Sequence, residues 1–235
     1  AIAKHADKKD TLLFLGTDAR YVMCKQAVKA IAVLEKAGVD FAVLENEKAS
    51  GAQLDFLIGA ANETKAQMEA CAKALGEFKT VVVYDPNDAK AIKQLYKEYG
   101  IEVAADVVTY TSFVAGLIKD GKLEAKNSGK AVVFQDPYQL SRDLEETEEA
   151  REIVKAYADL SEMLLNRAET VWAGNILMAQ YMPEVIKKVS ERRLFNVKSI
   201  GEKAIVTACV SEYVALKNVA QDDIEVLSIE DLILG

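Results

Sequence analysis

The chain has a single histidine and only three cysteines and three prolines, and each scarcity closes off a line of chemistry. His5 lies in a polar N-terminal stretch, so His-based zinc sites and Ser–His–Asp triads are excluded. Cys24, Cys71 and Cys209 are too few and too scattered for a disulfide framework, which suits the cytoplasm. Three prolines and 12 glycines argue against long disordered stretches. No apolar run is long enough to cross a bilayer; the longest, around Leu12–Leu15 and Val81–Tyr84, are strand-sized. The polar start, Ala1–Asp10, lacks the apolar centre of a secretory signal. A start on Ala rather than Met suggests a piece of a longer chain. No Gly-x-Gly-x-x-Gly or phosphate-loop motif is present.

Positive charge is also in deficit. Against 37 acidic residues stand 29 basic ones, a net charge of −8. Nucleic acid and anionic membrane surfaces are therefore poor partners. The acidic run Asp143–Glu149 reads as the solvated first turns of a helix, where negative charge suits the helix dipole.

What remains is an ordinary globular composition, 51% hydrophobic and 28% charged. The length allows one large domain or two modest ones, with a core that needs no metal or disulfide. Thr11–Gly16 reads as a buried strand closed by glycine, Lys25–Lys36 as an amphipathic helix, and Val39–Leu44 as a second strand. Ala60–Leu75 is helical and Thr80–Tyr84 a third, wholly apolar strand. Asp85-Pro86-Asn87-Asp88 is turn chemistry that can cap a helix over Ala89–Tyr99.

The second half repeats the programme. Ala131–Phe134 is a strand, Glu146–Tyr157 a helix, Leu160–Leu165 a possible strand, Pro183–Phe195 a helix and Lys203–Ala208 a strand. Val226, Leu227, Ile229 and Ile233 belong to a tail that docks on the core. Thr17 lines up with Tyr138, Ala49-Ser50-Gly51 with Trp172-Ala173-Gly174, and Asp85 with Cys209, at a nearly constant offset that signals duplication. Strands alternating with helices predict two tandem, related α/β domains with parallel sheets around a pseudo-two-fold. The expected domains are 1–120 and 121–235, with Lys119–Lys130 as the linker.

These landmarks resemble the paired cysteine-rich (CCG) domains found in heterodisulfide reductases and in the iron–sulfur subunits of glycolate oxidases. The stretches that carry the resemblance are FLGTDARY, KASG and YDPND in the first half, and FQDPYQLSR, VWAGN and TACVSEY in the second. The resemblance covers Leu12 to about Asn218. It implies an oxidoreductase family, with a ferredoxin-type iron–sulfur domain holding [4Fe-4S] clusters and an FAD-linked oxidase subunit as partners in electron transfer. Where that family places cysteines, this chain has Thr17, Ala49, Ser50, Asp85 and Asp88, then Tyr138, Trp172, Ala173, Cys209 and Glu212. Nine of these ten positions are not cysteine, and a cluster needs several thiolates, so no metal or cofactor is expected in the chain itself.

Each vacated position has a structural and a functional reading. Cys209, at a strand end where a helix begins, is a reactive thiol or an inherited packing residue. Thr17, Ser50, Asp85 and Asp88 offer oxygen ligands for a hard cation, or else a hydrogen-bonded turn. Trp172 and Tyr138 fill an abandoned cavity or wall a ligand site. Cys24 and Cys71 read as helix packing residues. The sequence names no catalytic residue and leaves enzymatic activity open. The expectation is a degenerate, non-catalytic or auxiliary module of an iron–sulfur/flavin oxidoreductase, with a small-ligand binder or enzyme reusing the cavity as the alternative.

Overall fold

The computed structural model describes Ala1–Gly235. The chain divides into two compact units, Ala1–Phe113 and Val114–Gly235.

In the first unit, β1 (Thr11–Phe14) leads through a π-helical turn at Asp18–Val22 into α1 (Cys24–Lys36). Helices α2 (Ala52–Ile58) and α3 (Asn62–Leu75) precede β2 (Thr80–Val83). A continuous helical run follows, made of α4 (Pro86–Lys90), a π-helical stretch at Ala91–Leu95, and α5 (Tyr96–Glu98). β3 (Asp106–Thr109) completes the set, and α6 (Tyr110–Lys119) continues from it across the boundary into the second unit. The sheet order is β1-β2-β3, all parallel, with Thr11 opposite Thr80 and Thr80 opposite Asp106. Leu12, Leu13, Phe14 and Val81–Val83 are all buried, as parallel strands covered on both faces must be.

The expected strand Val39–Leu44 shrinks to one parallel bridge, Leu12 to Ala42. Ala42 N donates to Thr11 O, but the next amide, Val43 N, turns to His5 O and leaves the sheet. β3 escaped the sequence reading because it begins on an acidic position and only its last residue is buried. Cys71 is buried in α3, whereas Cys24, expected to pack, is exposed at the start of α1 with its thiol donating to Arg20 O at 2.9 Å.

The second unit contains β4 (Ala131–Gln135), a π-helical turn at Gln139–Asp143, α7 (Glu149–Tyr157) and β5 (Asp159–Ser161). Then come α8 (Ile176–Tyr181), α9 (Pro183–Ser199), β6 (Ala204–Thr207), α10 (Val210–Val219), β7 (Glu225–Ser228) and α11 (Ile229–Leu234). Its parallel order is β5-β4-β6-β7. With Ala42 counted as the outer strand of the first unit, the two sheets run in the same order, and each first strand ends in a π-helical turn. They are duplicated α/β units.

The strand expected over Leu160–Leu165 ends at Ser161, and Leu164 and Leu165 lie exposed in the following loop. The C-terminal tail is a true strand and helix. Ser228 caps α11 in a reciprocal box with Asp231, which closes the chain against the sheet.

Candidate functional site

In each unit the polar residues gather beyond the carboxyl ends of the central strands, the usual place for ligand sites in α/β sheets. The first unit fills that space with its own side chains. Gly16, at φ +83°, lets the Asp88 carboxyl lie directly against its backbone; any side chain there would collide with Asp88 Oδ2. Ser50 Oγ donates to Asp88 Oδ1, and Tyr96 Oη donates to Ser50 O at 2.8 Å. Glu47 accepts from Leu15 N at 2.9 Å and Gly16 N at 2.8 Å, with Arg20 Nη1 3.8 Å away. Burial pushes the Glu47 carboxyl up to about 7, against the pull of those amides and of Arg20. Burial first, then Asp85, raises Asp88 well above the carboxylate range. Asp85 Oδ1 accepts from Asn87 N at 2.9 Å and caps α4. Burial also drives the Cys71 thiol up to about 12, so it is an inert packing group.

The second unit places different chemistry on the same frame. Cys209 is the N-cap of α10, and Glu212 is the third residue inside it. Glu212 Oε1 accepts from Ala173 N at 3.2 Å and Gln135 Nε2 at 3.0 Å, and Thr207 Oγ1 lies 3.3 Å from Oε2. Thr207 Oγ1 also accepts from Cys209 N at 3.2 Å. Burial lifts the Glu212 carboxyl to about 8, so it holds its proton at neutral pH. The Tyr138 phenol is raised by its own burial, then by the nearby Asp143, Cys209 and Glu212. Cys209 and Glu212 thus share the first turn of α10, within electrostatic range of the Tyr138 phenol.

Two further groups support this cluster. Gln135 Oε1 accepts from Arg193 Nε, so its amide links a buried guanidinium to a buried carboxyl. Beside it, Asp136 takes Arg151 through both oxygens at 2.5 and 2.8 Å, and Arg151 also reaches Glu162.

The ten positions singled out from the sequence therefore separate by unit. Ser50, Asp85 and Asp88 converge in the first unit, with Thr17 and Ala49 half-buried nearby in the chain. Tyr138, Ala173, Cys209 and Glu212 converge in the second. Trp172 is half-buried rather than sealed in. Glu47, Tyr96, Gln135 and Arg193 were missed. For Arg193 a signal existed, because it falls in the apolar stripe Ile186, Ser190, Leu194 and Val197 of α9. A charge in such a stripe is buried by the helix's own geometry.

No family model and no curated protein matches the chain. Among solved structures it is similar to an aspartate racemase homologue from Pyrococcus horikoshii, at 12% identity over 96% of both chains with a TM-score of 0.39. It is also similar to a glutamate racemase isoform from Bacillus anthracis, at 14% identity over 97% of this chain and 79% of that one, TM-score 0.40. No residue role is carried across at such identities. Neither is of heterodisulfide-reductase type, and this corrects the resemblance drawn above. With it fall the electron-transfer module, the ferredoxin-type domain and the FAD-linked partner. No three His, Cys, Asp or Glu groups stand where they could hold a metal ion. No helix is long and apolar enough to cross a membrane.

Proposed function

We propose that the chain is an acid–base enzyme moving a proton at a carbon beside the carboxylate of a small organic acid, as in amino acid racemisation. One observation carries this reading: Cys209 caps α10 at the end of β6, one turn from the buried Glu212 carboxyl and within electrostatic range of the Tyr138 phenol. A thiolate formed at Cys209 faces the N-terminus of α10, where the helix dipole stabilises negative charge. It would take the proton from the carbon and, after exchange with solvent, return one to the same carbon, while the Tyr138 phenol or the Glu212 carboxyl donates a hydrogen bond to the charge that develops on the substrate oxygen. Such a reaction needs no cofactor in this chain. Half-buried Trp172 and Tyr138 would wall the entrance. The three free thiols suit a reducing compartment, and the cytoplasm is the proposed location.

The test is proton exchange in D₂O, followed by loss of the α-proton NMR signals of aspartate, glutamate, other amino acids and hydroxy acids. The wild-type chain should wash out the signal of at least one acid, and Cys209→Ala should slow this by about a hundredfold or more. Absence of exchange across the panel would sink the proposal.

A further inference from the structure

Arg193 is a buried charge with no carboxylate in ion-pair contact. Its side chain is fully buried, with 0% of the residue exposed. Nε donates to the neutral amide of Gln135 and Nη2 to Leu165 O at 3.0 Å, while Nη1 has no partner. Glu212 and Asp136 act on it only at a distance, and Asp136 is already taken by Arg151. The contrast with Arg151 is sharp, since Arg151 is equally buried yet paired with two carboxylates. An unpaired buried guanidinium is costly, and a buried donor left open calls for a missing acceptor.

The segment lying over Arg193 supplies a second observation. The Glu162–Arg167 loop provides the Leu165 carbonyl that Arg193 holds, yet it exposes Leu165 by 42% and Leu164 by 93%. Arg167 closes this loop at φ +52°, a left-handed conformation unfavourable for a side-chain-bearing residue. Asp136 Oδ2 pins it there by accepting from Arg167 N at 2.8 Å. Two leucines in water beside a strained turn are what a covering loop looks like before it has something to cover.

We propose that Arg193 is the recognition residue for the substrate carboxylate, which takes the open Nη1 edge beneath the Glu162–Arg167 loop. This rests on the acid–base reading of the same unit and names its substrate class: a small carboxylic acid, bound one Gln135 amide away from Glu212. The anion supplies the charge the guanidinium lacks. Leu164 and Leu165 then fold over the carbon skeleton and exclude water, which strengthens the ion pair.

The experiment uses the whole chain with ¹³Cζ-labelled arginine, titrated separately with succinate, inorganic phosphate and acetamide and read by NMR. Arg193→Lys assigns its signal. Succinate should shift the Arg193 resonance saturably, with a Kd on the order of 1 mM or tighter, and leave Arg151 unmoved. Arg193→Lys should weaken succinate binding at least tenfold, because an ammonium lacks the guanidinium's planar edge. If that variant fails to fold, Leu164→Ser serves instead; it lies in water and should weaken binding several-fold through the loop. Equal shifts of all arginines, a response to phosphate alone, or no saturable response to succinate would overturn the assignment. Binding is read at equilibrium without turnover, so it can succeed where α-proton exchange fails, and the two readings fall separately.

Discussion

Asp88 and Glu212 occupy the same place in the two units, each the third residue of the helix that follows a central strand, each buried and each pushed toward its protonated form. Asp88 is satisfied by the Ser50 hydroxyl and Glu212 by the backbone amide of Ala173, which stands where Ser50 does. The frame was kept in both copies while the hydrogen-bond donor moved from side chain to main chain.

This pair and Glu47 make stability fall as pH rises. A carboxyl whose folded pKa lies above its unfolded value contributes most below the unfolded value, and that contribution is lost as pH climbs through the folded one. With Glu47 at about 7 and Glu212 at about 8, the loss should run from about pH 4.5 to 8, at about 1.4 kcal/mol per pH unit per group at most. Glu212→Gln keeps the shape without the charge. Urea melts should show it flattening the profile and exceeding the wild type in stability at pH 8. A wild-type profile that rises between pH 5 and 8 would refute this.

Gly174 should tolerate no side chain. At φ +124° an added Cβ would stand 2.6 Å from Ala215 Cβ and 2.9 Å from Ser190 Oγ, so Gly174→Ala combines strain with overpacking. The expected loss is about 3 kcal/mol or more. Gly38→Ala, at φ +67° with nothing within 4 Å, should cost only about 1 kcal/mol. Denaturant titration of both variants checks the difference.

Removing Arg151 should be severe. Arg151→Met leaves Asp136 buried without its partner, which typically costs about 3–5 kcal/mol. Breaking the exposed Lys79–Asp10 pair should change stability by less than about 1 kcal/mol. Paired thermal melts of Arg151→Met and Lys79→Ala give the comparison.

Trp172 offers a reporter as the only tryptophan. Because it is half-buried, Trp172→Ala should cost clearly less than the roughly 3–5 kcal/mol of a sealed aromatic. Its fluorescence should respond to a carboxylic acid that binds the second unit. An unchanged emission spectrum at saturating succinate, with binding established by NMR, would remove Trp172 from the entrance.

Long apolar runs made much of the fold legible. Leu12–Leu15, Val81–Val83 and Val132–Phe134 are buried throughout, as strands covered on both faces must be, and their spacing revealed the duplication. The edges were hidden. Asp106–Thr109 and Glu225–Ser228 each begin on an acidic residue, and Asp159–Ser161 holds three residues of pairing, so their signal lies in the neighbouring strand rather than in themselves. Motif positions located Asp88, Cys209 and Glu212, since a residue just inside a helix after a strand points back over the sheet. The family reading built on those positions failed because strand-end placement belongs to the fold and not to one chemistry. Gln135 and Arg193 stand far apart in sequence, and their link exists only once α9 packs against the second sheet.

The division between the two compact units falls within α6, between Phe113 and Val114. Expressed separately, halves cut there would each inherit a fragment of a ten-residue helix, too short to persist in water alone. The duplicated copies are therefore unequal as independent proteins. A gene split after Lys130 would preserve that helix whole, and one split between Phe113 and Val114 would cut it.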